Sequence, residues 1–295
     1  MPSRLALAAL LAVAGLFAAS SATAQTAQAQ AAAAKPAKVD PARIKVQYNA
    51  MVPMRDGVTL STDIYRPVGE GRHPVVLSRY PYGNGDDMLS SAQGWVDAGY
   101  VFVQQDVRGR YDSNGTFYPY INEGSDGFDT IAWLATQPWS DGRIGMTGGS
   151  YLAASQWLAA PLHPPALVAI APAVAPFNYY TDVVYPGGAF AMMSRVNWGL
   201  LMAGRSNQAQ PLDIDAMYRH LPLKTTDAAF GLDIPFWRDW VAHPSLDAYW
   251  HPVDVERVGK QLDVPALNVG GWYDGILGGT LRSYATAVRD RRSAA

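Results

Sequence analysis

Apolar and polar positions alternate from Val46 to Met54 and again from Val58 to Tyr65, on either side of Arg55-Asp56-Gly57. Two runs of period two separated by an Asp-Gly pair predict a β-hairpin. Pro74–Tyr80 and Tyr100–Val107 are dense in β-branched and aromatic residues, with a helix-permissive segment, Leu89–Ala98, between them. That order predicts a β-α-β unit in a mainly parallel sheet. Gly127–Gln137 carries apolar residues at helical spacing and stops at Pro138, and strands are predicted at Arg143–Thr147 and Leu167–Val174. From Asn178 to about Val258 the alternation stops, and the chain is rich in Trp, Tyr, Met and Pro with scattered short helical patterns. Such a segment is either a lid over a pocket or a long insertion with a small core of its own. Val264–Gly270 restores a strand, Gly271–Gly275 makes a loop and Ile276–Val288 a last helix; no internal repeat is present.

The first residues follow a different logic. Arg4 precedes an apolar stretch, Leu5–Ala19, and Ala22-Thr23-Ala24 stands before Gln25, the layout of a secretory signal with an A-x-A cleavage site. Its apolar part is short for a membrane span, and a lone arginine makes no twin-arginine signal. The expectation is export to the periplasm or the extracellular space with no stable span after cleavage; the alternative is an uncleaved N-terminal anchor. The expected organisation is a signal peptide (1–24), an Ala/Gln-rich spacer (25–42), a first core segment (43–177), a helical cap (178–258) and a second core segment (259–295).

Composition narrows the chemistry. With 295 residues, 49% of them hydrophobic, the chain can bury a large core. A net charge of −2 and the lack of a Lys/Arg run argue against nucleic acid as a partner. The absence of cysteine excludes disulfides, thiolate zinc sites and a cysteine nucleophile. No cofactor or metal is expected, and any nucleophile is an oxygen or a nitrogen.

Asp141–Ala160 supplies a candidate. Arg143–Thr147 forms a short buried strand, Gly148 and Gly149 break it, and small apolar helix formers follow Ser150. Ser150 therefore stands at a strand-to-helix corner, where a tight turn lifts a hydroxyl off the sheet beside the first helical N–H groups. A Gly-Gly-Ser turn before a helix is also a common N-cap. Five further blocks decide the matter. Gly148-Gly149-Ser150-Tyr151-Leu152-Ala153 resembles the G-x-S-Y-x-G elbow of the cocaine esterase and X-prolyl dipeptidyl peptidase family of serine hydrolases, which includes α-amino-acid ester hydrolases and glutaryl acylases. Ala153 stands where that family has its last glycine. Arg79-Tyr80-Pro81-Tyr82, Gln105-Asp106-Val107-Arg108-Gly109, Asp126-Gly127-Phe128-Asp129-Thr130, Gln137-Pro138-Trp139 and Gly270-Gly271-Trp272-Tyr273-Asp274 look like family blocks in family order.

The resemblance implies an α/β-hydrolase fold with a helical lid, Ser150 as nucleophile, Asp274 as triad acid, and an oxyanion hole from the Tyr82 phenol and the Tyr151 backbone N–H. Arg108 and Asp112 read as structural, and Tyr111 replaces a common family glycine. In such hydrolases the histidine follows the acid, yet His73, His163, His220, His243 and His251 all precede Asp274. The expectation is a chain truncated before the last strand, the last helix and a C-terminal β-sandwich, weak or inactive as it stands. Gly275-Ile276-Leu277 replaces the extra carboxylates that bind an α-ammonium in some relatives, leaving Asp182 as a lone partner for a cation. The expected substrate is a small ester, amide or short peptide with an apolar acyl or aryl group; a non-catalytic ligand-binding domain is the alternative, and the oligomeric state is open.

Overall fold

The hairpin forms where the alternation places it. β1 (Ile44–Pro53) and β2 (Thr59–Pro67) pair antiparallel across a turn in which Gly57 adopts φ +84°, a conformation that costs any residue with a β-carbon. β3 (His73–Tyr80), α1 (Met88–Asp97) and β4 (Val101–Asp106) make the expected β-α-β unit, with β3 and β4 parallel. β5 (Ser140–Gly149) and β6 (Leu167–Ala173) continue the parallel series, so the six strands lie in the order β1-β2-β4-β3-β5-β6. Every residue of β4 is buried, as expected of a central strand covered on both faces. The computed structural model describes residues 40, 42–83, 88–207, 211–257 and 262–293, with side chains as far as Ala287. The expected signal peptide and most of the spacer lie outside the described residues.

α2 (Glu123–Ala135) and α3 (Tyr151–Ala159) pack on the sheet through Ile131, Leu134, Ala153 and Trp157, against Val75, Leu77, Val101, Val103 and Ile144. α2 begins one turn before the apolar spacing indicates. Its first turn carries Glu123 and Asp126, both buried beside the Arg79 guanidinium, so charge pairing extends the helix where hydrophobic periodicity does not.

After β6 the chain forms α4 (Met192–Met202), α5 (Ile214–Arg219), α6 (Thr226–Ala229) and α7 (Pro235–Ala242). Among the described residues this insertion contributes no strand. Its Val196, Met202, Trp237, Trp240 and Trp250 share one apolar cluster with Val107, Tyr120, Tyr151 and Leu152 of the sheet half. The insertion therefore does not pack independently of the serine corner.

Two expectations are corrected. Val264–Gly270 is not a continuous strand but two isolated parallel bridges to β6, Ile170↔Ala266 and Ala173↔Val269. Pro265 has no N–H to give the ladder, and the side chains of Leu267 and Val269 are exposed at 67% and 49%, which removes the burial that would straighten the segment. The last helix, α8 (Leu277–Ser293), runs past the expected Val288. No helix among the described residues is long and apolar enough to cross a membrane.

Candidate active site

The corner after β5 has a specific backbone shape. Ser150 adopts φ 58° and ψ −117°, a region that L-residues avoid and that persists only when the surroundings over-determine it. The determinants are visible on both sides. The Ser150 N–H donates to the Ala173 carbonyl of β6 at 2.9 Å, and its own carbonyl accepts from Ala153 and Ala154 at 3.0 and 3.1 Å to start α3. Gly148 has φ +129°, and a β-carbon there would lie 2.5 Å from the Leu152 β-carbon, so glycine is required twice over. Ala153 is fully buried, small enough for the position at which the related elbows have glycine. The Ser150 side is solvent-exposed, as a group that meets substrate must be.

Tyr82 and Tyr151 are brought to this serine. The Tyr82 ring lies 6.5 Å from that of Tyr151. Its hydroxyl accepts a hydrogen bond from the Trp198 indole N–H at 3.3 Å, which leaves the phenolic proton to be donated elsewhere. Burial pushes the Tyr82 phenol up, while hydrogen bonds from Trp198 and Ser150 oppose that push; the group stays protonated as a donor at neutral pH. The Tyr82 carbonyl is held as firmly, accepting from the Tyr111 hydroxyl at 2.5 Å and the Asn207 amide at 3.2 Å. Tyr111, at φ +46°, thus meets the backbone demand of the glycine it replaces and adds a clamp. The Tyr151 backbone N–H has no acceptor among the described hydrogen bonds, as befits the first residue of a helix.

Beneath these donors runs a buried polar network. The Tyr151 hydroxyl donates to Glu123 Oε1 at 2.9 Å and accepts from the Tyr120 N–H at 3.2 Å. Glu123 is paired with Arg79, whose Nε donates to Gln105 at 2.9 Å. Burial pushes the Glu123 carboxyl up, and the Arg79 charge opposes it. Arg108 is bonded to Asp126 at 2.6 Å and Asp56 at 2.7 Å, so its structural role falls to those carboxylates and not to Asp112, whose side chain is exposed. Arg110, fully buried, donates to the carbonyls of Pro81, Met202 and Gly204 at 2.9, 3.1 and 2.6 Å. It ties the segment before Tyr82 to the end of α4.

Asp274 is bonded locally. It lies in the loop after the Ala266 and Val269 bridges, and its Oδ1 accepts from the Ile276 N–H at 2.8 Å, capping the start of α8. No described hydrogen bond or ion pair joins it to Ser150, Tyr82 or a histidine. Its neighbours Trp272 and Tyr273 are exposed at 87% and 104%. The hollow of about 250 Å³ beside this loop is lined by Asn268, Gly270, Trp272, Leu277, Thr280 and Tyr284, and it reaches neither Ser150 nor Tyr82; the chemistry, not this hollow, locates the site. The histidines are engaged elsewhere: His73 Nδ1 lies 3.1 Å from the Gly99 carbonyl, His163 3.3 Å from Asp263, His220 2.9 Å from Thr225, and His243 2.8 Å from Asp247, while His251 is exposed.

Asp182 does not serve a substrate cation. Its carboxylate accepts from the N–H groups of Phe177 and Asn178 at 2.8 and 2.9 Å and pairs with Arg282. Sequence reasoning missed Trp198, Arg110 and Glu123. Glu123 had a signal in an acidic pair ahead of an apolar helix, whereas Trp198 lies in an insertion without periodicity. No group of three or more metal-ligating side chains occurs among the described residues.

The chain has known relatives. The family model described as X-Pro dipeptidyl-peptidase (S15 family) matches residues 56–292. Cocaine esterase from Rhodococcus sp. (strain MB1 Bresler) is 38% identical over 275 residues, covering 84% of this chain and 47% of that protein. An aminopeptidase from the marine sediment archaeon Thaumarchaeota archaeon superposes with a TM-score of 0.76 at 29% identity, over 86% of this chain and 47% of that one. An α-amino acid ester hydrolase superposes with a TM-score of 0.71 at 26% identity over the same shares, 86% and 47%. The chain thus spans about half the length of these relatives, and its mixed sheet with flanking helices is α/β-hydrolase-like.

Proposed function

The chain belongs to the X-Pro dipeptidyl-peptidase (S15) family, and from that premise we propose that its site is built for acyl transfer from small esters, amides or short peptides through an acyl-Ser150 intermediate. The observation that carries this reading is the Ser150 backbone at φ 58°, ψ −117°, facing a Tyr82 phenol whose oxygen already accepts from Trp198. Ser150 Oγ attacks the substrate carbonyl carbon, and the carbonyl oxygen takes the negative charge. Tyr82 O–H and the Tyr151 N–H donate to that oxyanion; both are fixed before the reaction, which is where such donors gain their effect. The serine proton must pass to a base as the tetrahedral intermediate forms and then to the leaving group as it collapses. In the triad order that base is an imidazole oriented by Asp274. None of the five histidines of this sequence follows Asp274, and none is bonded to it.

The proposal is therefore that these 295 residues alone acylate slowly. A site lacking one triad member retains on the order of 10³- to 10⁴-fold catalysis over water from the oxyanion hole and binding. Relatives named as an esterase and as an aminopeptidase support ester and amide substrates equally. Residues 1–24 support export to the periplasm or outside the cell. The test is labelling of purified protein with a fluorophosphonate probe, with Ser150→Ala as control, alongside aryl-ester turnover. Slow labelling confined to Ser150 is the expected result; labelling that survives in Ser150→Ala sinks it. Four histidines engaged with other partners, and none bonded to Asp274, favour a second reading, a ligand-binding domain without catalysis. Saturable binding of aryl esters with no labelling and no turnover would select it.

A further inference from the structure

One cation beside Trp198 is left over by the acyl-transfer reading. Arg195, partly buried on the first half of α4, sits one turn before Trp198, with its guanidinium carbon 5.9 Å from the Trp198 ring centroid. That ring is the one whose N–H bonds the Tyr82 oxygen, and it stacks at 6.3 Å and 15° on Tyr151. Arg195 is thereby one aromatic ring removed from the Tyr82 hydroxyl, and its charge is felt there. A guanidinium has five N–H donors; this one makes a long 3.4 Å contact from Nε to Ser194 Oγ and a hydrogen bond to the Tyr179 hydroxyl. No described carboxylate pairs with it, whereas Arg79, Arg108, Arg238 and Arg282 each hold two. Tyr179, only 4% exposed, offers that guanidinium a neutral phenol and no counter-charge. Burial pushes that phenol up and the Arg195 charge opposes the push, so the two groups are within each other's field.

We propose that Arg195 is the recognition residue for a carboxylate carried by the substrate, so that the preferred esters or amides are anionic. A planar fork of donors matches a carboxylate bidentately, and a partly buried cation on an aromatic face without a counter-charge is stabilised by recruiting one. The acids nearby are already committed: Asp182 to Arg282, and Asp239 to the Tyr118 hydroxyl at 2.8 Å. An ammonium would find no free carboxylate in these partners, and it would meet Arg195. The inference rests on the acyl-transfer reading for the location of the reacting carbonyl, but its recognition step stands on Arg195 alone.

The experiment is calorimetric binding of two ligands to the 295-residue protein, succinic acid monoanilide and its neutral counterpart butyranilide. The same pair in the reverse sense, 4-acetamidobenzoate against acetanilide, distinguishes a carboxylate on the acyl side from one on the leaving side. In at least one pair the anion should bind on the order of ten- to a hundredfold tighter, the range for a hydrogen bond to a charged partner. Arg195→Gln should bring that ratio to about one, and Arg195→Lys should retain part of it, keeping charge without the fork. Should the glutamine variant misfold, the wild-type ratio must still fall as ionic strength rises. A ratio near one in the wild type for both pairs, a ratio unchanged in Arg195→Gln, or no binding of any ligand overturns the inference. Fluorophosphonate labelling of Ser150 is read in parallel. Labelling without anion preference defeats this inference alone, and anion preference without labelling defeats acyl transfer alone.

Discussion

The two halves of the candidate site are built to different standards. Around Ser150, every group that bears on the chemistry is fixed from behind: the serine N–H by β6, Tyr82 by Tyr111, Asn207 and Trp198, and Tyr151 by Glu123 and Tyr120. Around Asp274, backbone bonds to β6 and within the turn carry the loop, the carboxylate itself makes one bond, to the Ile276 N–H, and Trp272 and Tyr273 are almost fully in solvent. Preorganisation belongs to the oxyanion side. A donor held before the reaction lowers the barrier, while a triad carboxylate acts only through the imidazole it orients, and no described hydrogen bond joins Asp274 to a histidine.

The contrast is broken most strongly from beneath. Arg79→Met leaves Glu123 buried without its counter-charge, which costs about 3–5 kcal/mol, and thermal unfolding should move down by roughly 10 °C. An unchanged Tm would show that the network is not what holds the serine side. Next in size, Tyr82→Phe should slow acylation of Ser150 by about 10²- to 10³-fold, the range for one lost preorganised donor, with ligand affinity nearly unchanged. Single-turnover labelling rates decide it, and equal rates would return Tyr82 to a purely packing role. Gly148→Ala sets a β-carbon against Leu152 at an unfavourable φ and should cost about 1–3 kcal/mol, read by denaturant midpoint. At the other pole, Asp274→Ala loses only a helix cap, about 1 kcal/mol, and should leave the labelling rate of the 295-residue protein as it was. A large fall in that rate would mean that Asp274 already acts on Ser150, and the contrast would collapse.

Much of this was legible before any coordinates. The Arg55-Asp56-Gly57 hairpin, the β-α-β unit and the serine corner were written in periodicity and turn residues, because those are local properties: φ beyond glycine's neighbours, burial every second residue, a ladder that needs N–H donors. The same logic overreached at Val264–Gly270, where an apolar run read as a strand lacks both the donor at Pro265 and the burial to complete it.

By itself the sequence determined the α/β alternation and the position of Ser150 at the end of a strand. Tertiary structure alone decided that Trp198, 116 residues from Tyr82, holds its hydroxyl, that Arg110 binds carbonyls of Pro81 and the end of α4, and that Asp182 is spent on Arg282. Hydrogen bonds between groups so far apart in the chain leave no period and no local propensity to read. They exist only once packing has excluded water from both partners and made an unpaired donor costly.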